Sequence, residues 1–253
     1  MTDLEAINLR YSRRNYLDTP ISADNMTALK AAVGDQNKIS GLNIQLIEEG
    51  GSAFKGILKS YGMFHGVRSF FALVGKTDDP DLKEKAGYYG ELLTLEATKL
   101  GLGTCWVGAS YDKKHCPCTI QGDETLVCVI TVGNAEENQS FREKLIYKMT
   151  HRSAKSLEDH YTADTPVPEW FLSGMEAVRR APSAVNAQPV HAEYRSGKVT
   201  LFVKDPGLYR MTDLGIAKAH FEIGAAACPK GAVTGSFPPG NHSVFQVEDI
   251  GIR

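Results

Sequence analysis

The chain has 253 residues, of which 42% are hydrophobic, and 28 basic against 30 acidic residues give a formal net charge of −2. This length can bury one large core or two smaller ones without help from a disulfide or a metal. The charged residues are spread along the chain, so no basic stripe predicts a nucleic-acid partner. We therefore expect a compact globular protein that does not bind nucleic acid.

No apolar run approaches the length of a membrane span, and the segment Met1–Glu5 is polar and acidic, unlike a signal peptide. We expect a cytoplasmic protein without a membrane partner. The five cysteines contain no CxxC pair. His115, Cys116 and Cys118 lie close in sequence, but the nearest fourth ligand, Cys128, falls in an apolar stretch. Reduced thiols in a loop are therefore expected there rather than a metal site.

The chain begins with two predicted helices. Thr2 and Glu5 have the spacing of a capping box, which predicts a first helix that ends near residue 10. Ser22 can cap the second helix, and Gly34 is expected to end it. The apolar stripe of this second helix consists of Met26, Leu29 and Val33.

Two buried strands and a third helix follow. The apolar runs Phe70–Val74 and Leu126–Val132 predict the strands. The third helix lies between them, and Gly101 and Gly103 are expected to end it. One face of this helix carries Tyr89, Leu93, Ala97 and Leu100.

The second half of the chain partly repeats the first. After a polar and then basic connector that begins at Asn134, the segment Asp18–Ile21 is echoed by Asp164–Val167, and each echo precedes a predicted helix. The runs Val190–Tyr194 and Val199–Val203 flank a Ser-Gly turn and predict a hairpin. A last helix is expected to close with Ile223-Gly224. Mixed helices and strands in two copies indicate an α+β fold built from a degenerate tandem repeat.

Three residues near the N-terminus could bind a phosphate group. Arg10, Ser12 and Arg14 point the same way only on an extended chain, where two guanidinium groups and a hydroxyl suit a phosphate dianion. A solvated basic helix end explains the same residues without any ligand, because cations are favoured near a helix C-terminus. The triplet by itself leaves both interpretations open.

Two further segments suit a planar ligand. The loop Ala181–Pro189 displays a hydroxyl and two side-chain amides between two prolines, although an ordinary turn into a strand would look the same. The segment Leu100–Ala109 is rich in small residues that would let its backbone approach a ring. Its glycine spacing, and its place after a helix, do not match a dinucleotide fingerprint.

Together, the segment Arg10–Arg14, the segment Leu100–Val107 and the loop Pro182–Pro189 resemble the nitroreductase family. The segments Gly87–Glu91 and Leu214–Glu222 are similar to those of a subgroup in which two nitroreductase-like units are fused in one chain. The resemblance covers most of residues 1–225. It implies a nitroreductase-like α/β/α fold with an N-terminal lobe over residues 1–158 and a C-terminal lobe over 159–253, arranged as a pseudo-dimer within a monomer.

The resemblance also implies one FMN per chain. The first repeat keeps the phosphate triplet but has Gly34–Lys38 where the Pro-Ser loop should lie, and the second repeat keeps the loop without the triplet. Gly108 and Ala109 would offer an N–H near flavin N5, and Arg152 or Lys155 a second phosphate cation. The implied cofactor-binding residues are Arg10, Tyr11, Ser12, Arg14, Trp106, Val107, Gly108, Ala109, Arg152, Lys155, Pro182, Ser183, Asn186 and Gln188.

The activity implied is that of an FMN-dependent NAD(P)H oxidoreductase. It would reduce a flat nitroaromatic or quinone by ping-pong hydride transfer through flavin N5. No catalytic side chain is assigned, and His220 is expected to be a packed core residue. Two alternatives stay open: a binding protein for flavin or another flat ligand without turnover, and another flavin reaction such as dehalogenation or ring oxidation.

Overall fold

The computed structural model describes residues 1–54, 63–136, 143–144 and 156–247, and it confirms the mixed helix and sheet class. The chain divides into two compact units. The first comprises Met1–Thr2, Leu9–Leu82 and Leu92–Arg152; the second comprises Asp3–Asn8, Lys83–Glu91 and Ser153–Arg253. Among the helices that the structure describes, none has the length and apolar character needed to cross a membrane.

The first two helices begin where the sequence predicts. Helix α1 covers Asp3–Leu9, and helix α2 covers Ala23–Ser40 after Ser22, whose side chain accepts a hydrogen bond from the Asn25 N–H at 3.3 Å. The predicted end of α2 at Gly34 is wrong. A helical glycine costs only about 1 kcal/mol relative to alanine, so the helix continues until Gly41 adopts a left-handed conformation with φ of 71°.

Four antiparallel strands form the sheet of the first unit within the described residues. They are β1 (Gln45–Ile47), β2 (Ser69–Lys76), β3 (Gly103–Val107) and β4 (Glu124–Gly133), in the order β1-β2-β4-β3. The two predicted buried strands are confirmed as β2 and β4. β2 is buried at all but its last residue, which matches its continuous apolar sequence.

The predicted third helix is confirmed as α3 (Leu82–Lys99). Leu93 and Ala97 on its apolar face are fully buried. The helix ends before Gly101, whose φ of 77° is in the left-handed region that favours glycine. Its residues Lys83–Glu91 belong to the second unit, and the rest of the helix belongs to the first.

The second unit contains a three-stranded sheet and two long helices of its own in the part of the chain that is described. The strands β5 (Tyr161–Ala163), β6 (Val190–Arg195) and β7 (Lys198–Val203) lie in chain order, with β5 parallel to β6 and β6 antiparallel to β7. The helices are α4 (Glu169–Arg180) and α5 (Arg210–Ala226). A short C-terminal ladder pairs β8 (Gly235–Ser236) with β9 (Gln246–Val247).

The predicted hairpin is confirmed as β6 and β7. Its turn residues Ser196 and Gly197 have φ of 49° and 77°, the combination that joins two strands with the natural sheet twist. The predicted end of the last helix at Gly224 is wrong by two residues. A Cβ on Gly224 would lie 2.6 Å from the Ser173 carbonyl oxygen, so this glycine lets α4 and α5 approach closely and does not end α5.

Helix α5 also packs closely against the Lys83–Glu91 part of α3. A Cβ on Gly87 would lie 2.0 Å from the Thr212 carbonyl oxygen, and one on Gly215 would lie 2.0 Å from the Glu84 carbonyl oxygen. Side chains larger than hydrogen are therefore excluded at these two contacts.

Buried polar and charged side chains form hydrogen bonds along the same two helices. The Lys218 amino group donates to the Glu84 carboxylate and to the Gly240 carbonyl, the latter at 2.9 Å. His220 is fully buried, with its Nε2 2.9 Å from Glu91 and its Nδ1 2.9 Å from a backbone carbonyl of α4. The prediction that His220 is a packed core residue is confirmed.

Candidate functional site

The segment after α1 runs along the free edge of β3 in the first unit. Ser12 forms a parallel bridge with Thr104, and the Arg13 N–H donates to the Thr104 carbonyl at 2.8 Å. Two residues later, Asn15 forms a second bridge, with His65. The segment that carries the predicted phosphate triplet is thus held as an edge strand against the sheet.

Arg13 anchors this segment from the inside. Its side chain is 7% exposed, and its Nε lies 3.3 Å from the Glu143 carboxylate. The same Glu143 oxygen accepts the N–H groups of Arg14 at 2.7 Å and Asn15 at 3.2 Å. One buried carboxylate therefore fixes both the side chain of Arg13 and the backbone that follows it.

The triplet residues converge on the thiol of Cys105. Burial raises the pKa of this thiol, whereas the positive charge of Arg14, a hydrogen bond with Ser12 and the positive charge of Arg10 lower it. All three triplet residues therefore act on one buried atom of β3. Within the described residues, the Arg14 guanidinium makes no hydrogen bond or ion pair.

Cys105 was not a candidate in the sequence analysis. A lone cysteine inside an apolar strand carries no signal of its own. Its proximity to the triplet depends on the segment after α1 lying along β3, where Ser12 is bridged to the neighbouring Thr104.

The four candidates that follow Cys105 lie at the end of β3. Trp106 is half-buried and Val107 is buried, and the pairing of β3 with β4 ends at Val107 opposite Val129. Gly108 is half-buried and Ala109 is exposed beyond the end of this ladder. The structure thus brings the triplet and the end of β3 together on one edge. Arg152 and Lys155 lie outside the described residues.

In the second unit, the predicted loop leads from α4 into β6. It contains a single 3₁₀ turn over Ala184–Asn186. The side chains of Ser183 and Gln188 hold the loop itself: the Ser183 hydroxyl accepts the Gln188 N–H at 2.9 Å, and the Gln188 amide donates to the Arg179 carbonyl at 2.9 Å. The Asn186 side chain has no hydrogen-bond partner in the described part of the chain, and it is half-buried.

The loop backbone is strained. Val185, Asn186 and Gln188 have φ of 49°, 54° and 45°. Left-handed conformations of non-glycine residues cost on the order of 1–3 kcal/mol each, and β-branched residues such as Val185 are rare there. The Val185 side chain is 83% exposed, so the conformation is not explained by packing of that side chain.

Asp213 of α5 lies beneath this loop, and no sequence pattern marks it as a site residue. Its Oδ1 accepts the Ala184 N–H at 3.1 Å. The residue is 5% exposed, and burial raises the pKa of its carboxyl group to about 6, with the Ala184 hydrogen bond and Arg210 opposing the shift. An aspartate in the first turn of a helix normally indicates only a favourable interaction with the helix dipole.

The comparisons with known proteins support one family. Residues 3–225 match the family model described as "Putative TM nitroreductase". The crystal structure of a "putative nitroreductase" from Thermotoga maritima superimposes with a TM-score of 0.62 at 19% identity, covering 98% of this chain and 93% of the other. A nitroreductase with bound FMN from Bacteroides fragilis has a TM-score of 0.41 at 15% identity, covering 55% of this chain and 91% of the other.

No curated protein matches the chain significantly. The nitroreductase-like fold rests on the Thermotoga maritima structure, which is similar over almost the whole of both chains. The family model spans most of the chain and supports an oxidoreductase. The chain therefore belongs to this nitroreductase family.

Proposed function

We propose that the protein is an FMN-dependent NAD(P)H oxidoreductase that reduces flat nitroaromatic or quinone substrates. The observation that carries this proposal is that the segment bearing Arg10, Ser12 and Arg14 lies as an edge strand along β3, with Ser12 bridged to Thr104. Family membership supports the same class of chemistry.

The triplet has the donor chemistry that a flavin phosphate needs. Two guanidinium groups supply paired N–H donors and positive charge, and a hydroxyl supplies a third donor. The two arginines act on the Cys105 thiol in the direction expected of a positive potential. A phosphate dianion at this edge would add hydrogen bonds of about 1.5–3 kcal/mol each.

The end of β3 and the Pro182–Gln188 loop would hold the flavin ring. Gly108 and Ala109 would present a backbone N–H, and the Asn186 amide would offer both a donor and an acceptor to the edge of the ring. Bound FMN would take hydride from NAD(P)H at N5 and pass it to the second substrate, which would occupy the same open face in turn. The chain's own part is to bind, orient and tune the cofactor.

The proposal includes one flavin for each chain. In this proposal the first half would contribute the triplet and the second half the loop, so that a monomer would act as its own pseudo-dimer in the cytoplasm. Gly34–Lys38, where the first half would need its loop, is part of helix α2. A second complete site is therefore not expected.

Absorbance spectroscopy tests this proposal directly. Purified protein reconstituted with FMN and freed of excess should show a flavin spectrum at one equivalent per chain. NADH or NADPH under anaerobic conditions should bleach it, and a nitroaromatic or quinone should restore it. Protein that takes up no FMN would overturn the proposal, and FMN that binds but is never bleached would favour a binding protein without turnover.

A further inference from the structure

Asp213 lies at the contact between helix α5 and the strained loop. Its Oδ1 receives the Ala184 N–H, while its Oδ2 is buried and has no hydrogen-bond partner within the described residues. Asp213 lines a pocket together with Ser183, Gln188 and His160. A buried carboxylate oxygen without a partner is costly when ionised, because burial removes its water without replacing it.

Among the described residues, none of the charged groups around Asp213 forms a hydrogen bond with its Oδ2. Arg210, on its own helix, lowers the carboxyl pKa, but less than burial raises it. His160 lines the same pocket from the turn before β5. On α4, the guanidinium of Arg179 is paired with Glu176 at 2.6 Å. The loop itself contributes no titratable side chain.

Hydrogen bonds within the loop hold it closed above Asp213. The N–H groups of Asn186 and Ala187 donate to the carbonyls of Ser183 and Ala184, both at 3.0 Å. The hydrogen bond from the Ala184 N–H to the Asp213 carboxyl group connects this loop to α5. Opening would relieve the strain of the three left-handed residues, which partly offsets the loss of these hydrogen bonds.

We propose that Asp213 is a positioning residue that couples the conformation of the Pro182–Gln188 loop to the protonation state of its carboxyl group. A protonated carboxyl lets the loop remain closed over the pocket. Ionisation favours an open loop, in which water reaches Oδ2. The coupling bears on catalysis through the loop's part in the proposed flavin site, and only that consequence rests on the proposed function.

The direction follows from proton linkage. In the closed loop the carboxyl pKa is about 6, above the ordinary value of about 3.9 that a hydrated carboxyl would regain in the open loop. The closed form therefore binds more protons between these values and is favoured in acid. Its advantage is lost as the pH rises towards 6 and changes little above about 7.

Amide hydrogen exchange of the apoprotein, corrected for intrinsic rates, measures the loop opening. The amides of Ala184, Asn186, Ala187 and Gln188 are all hydrogen-bonded in the closed loop and so report on it. We expect their opening equilibrium to rise up to about 50-fold from pH 4 to pH 7, as the two pKa values require. Unchanged protection over this range would overturn the proposal.

Three variants assign the effect to one group. Asp213→Asn keeps the Oδ1 acceptor without a charge, so it should abolish the pH dependence and keep the loop closed at pH 7. Asp164→Asn makes the same change at an exposed carboxylate that accepts the Ser196 N–H, and it should behave like the wild type. His160→Asn should also retain the pH dependence. Loss of the effect in His160→Asn but not in Asp213→Asn would contradict the proposal.

Two further measurements keep the outcome decisive. If Asp213→Asn fails to fold, a ¹³C titration of the Asp213 carboxyl in the wild type should give a midpoint near 6, and a midpoint near 4 would contradict the coupling. Exchange with FMN added separates this inference from the proposed function. A loop that opens with pH but gains no protection from FMN would refute its role in a flavin site and leave the Asp213 coupling intact.

Discussion

The two units each place a pair of arginines beside a helix end, but they use them differently. Arg10 and Arg14 belong to the first unit, follow the end of α1 and lower the pKa of the buried Cys105 thiol, against the effect of burial. Arg179 and Arg180 end α4 in the second unit, and both lie within 3.5 Å of the Glu176 carboxylate. Arginine pairs near helix ends therefore differ in their surroundings. Arg179 and Arg180 form ion pairs with a carboxylate of their own helix, whereas Arg10 and Arg14 influence a buried thiol.

The largest expected effect is a loss of FMN affinity when the arginine pair of the first unit is replaced. Replacing Arg10 and Arg14 together by alanine should weaken FMN binding by roughly 100- to 10 000-fold, because two charge-assisted contacts of about 1.5–3 kcal/mol each are lost. Fluorescence titration of FMN measures this. The matched control Arg179→Ala with Arg180→Ala should change the affinity by less than about fivefold, because neither arginine is assigned to the flavin site and surface ion pairs contribute at most about 1 kcal/mol. Equal losses in the two double variants would show that the site is misplaced.

The next effect concerns the anchor beneath the triplet. Glu143→Ala leaves the buried Arg13 without its carboxylate and removes the acceptor of two backbone N–H groups. Removing one partner of a buried ion pair costs about 3–5 kcal/mol of unfolding free energy. Urea denaturation measures this loss. Glu176→Ala removes the half-buried surface partner of Arg179 and should cost less than about 1 kcal/mol.

Helical glycines of the two units are expected to respond in opposite ways to substitution by alanine. Gly215→Ala places a methyl group against the Glu84 carbonyl and should destabilise the protein by about 1–3 kcal/mol or more. Gly34→Ala in the first unit meets no atom within 4 Å and should stabilise it by about 0.5–1 kcal/mol. Thermal unfolding of both variants measures whether each substitution lowers or raises the stability of the protein. A stable Gly215→Ala protein would mean that α3 and α5 are not in close contact.

The smallest effect tests the strain of the second unit's loop. Val185 is 83% exposed and has a left-handed φ, so Val185→Gly loses little packing and removes a steric cost. We expect a gain of about 1 kcal/mol or less in the free energy of unfolding, partly offset by the larger entropy of glycine in the unfolded chain. Chemical denaturation measures it. Val244→Gly, at a 39% exposed residue that has no left-handed φ, should not be stabilising.

Helix and strand positions were predicted well wherever local signals agree. Ser22 caps α2, and the Ser196-Gly197 turn joins β6 to β7 as expected. The errors fall at Gly34 and Gly224, both interpreted as helix ends. The sequence shows that a residue lacks a Cβ but not why, and these glycines serve as a tolerated helix position and as a helix contact.

The candidate site was predicted in part. The extended backbone at Ser12 agrees with the spacing of the triplet, but the strand β3, after which Gly108 and Ala109 lie, was not predicted. Cys105 and Asp213 could not be found, because each is an isolated residue in an otherwise ordinary strand or helix. Their roles depend on which distant segment covers them.

Local sequence patterns were sufficient to predict the fold class, most element positions and the resemblance to a nitroreductase, because hydrophobic periodicity, caps and turn residues act over a few neighbouring positions. The partners of the charged groups, in contrast, depend on the tertiary structure. It pairs Arg13 with Glu143, gathers the triplet around Cys105, and leaves one oxygen of Asp213 buried beneath a strained loop. Burial and long-range pairing set these interactions, and they depend on residues more than one hundred positions apart or on contacts across elements that no local pattern records.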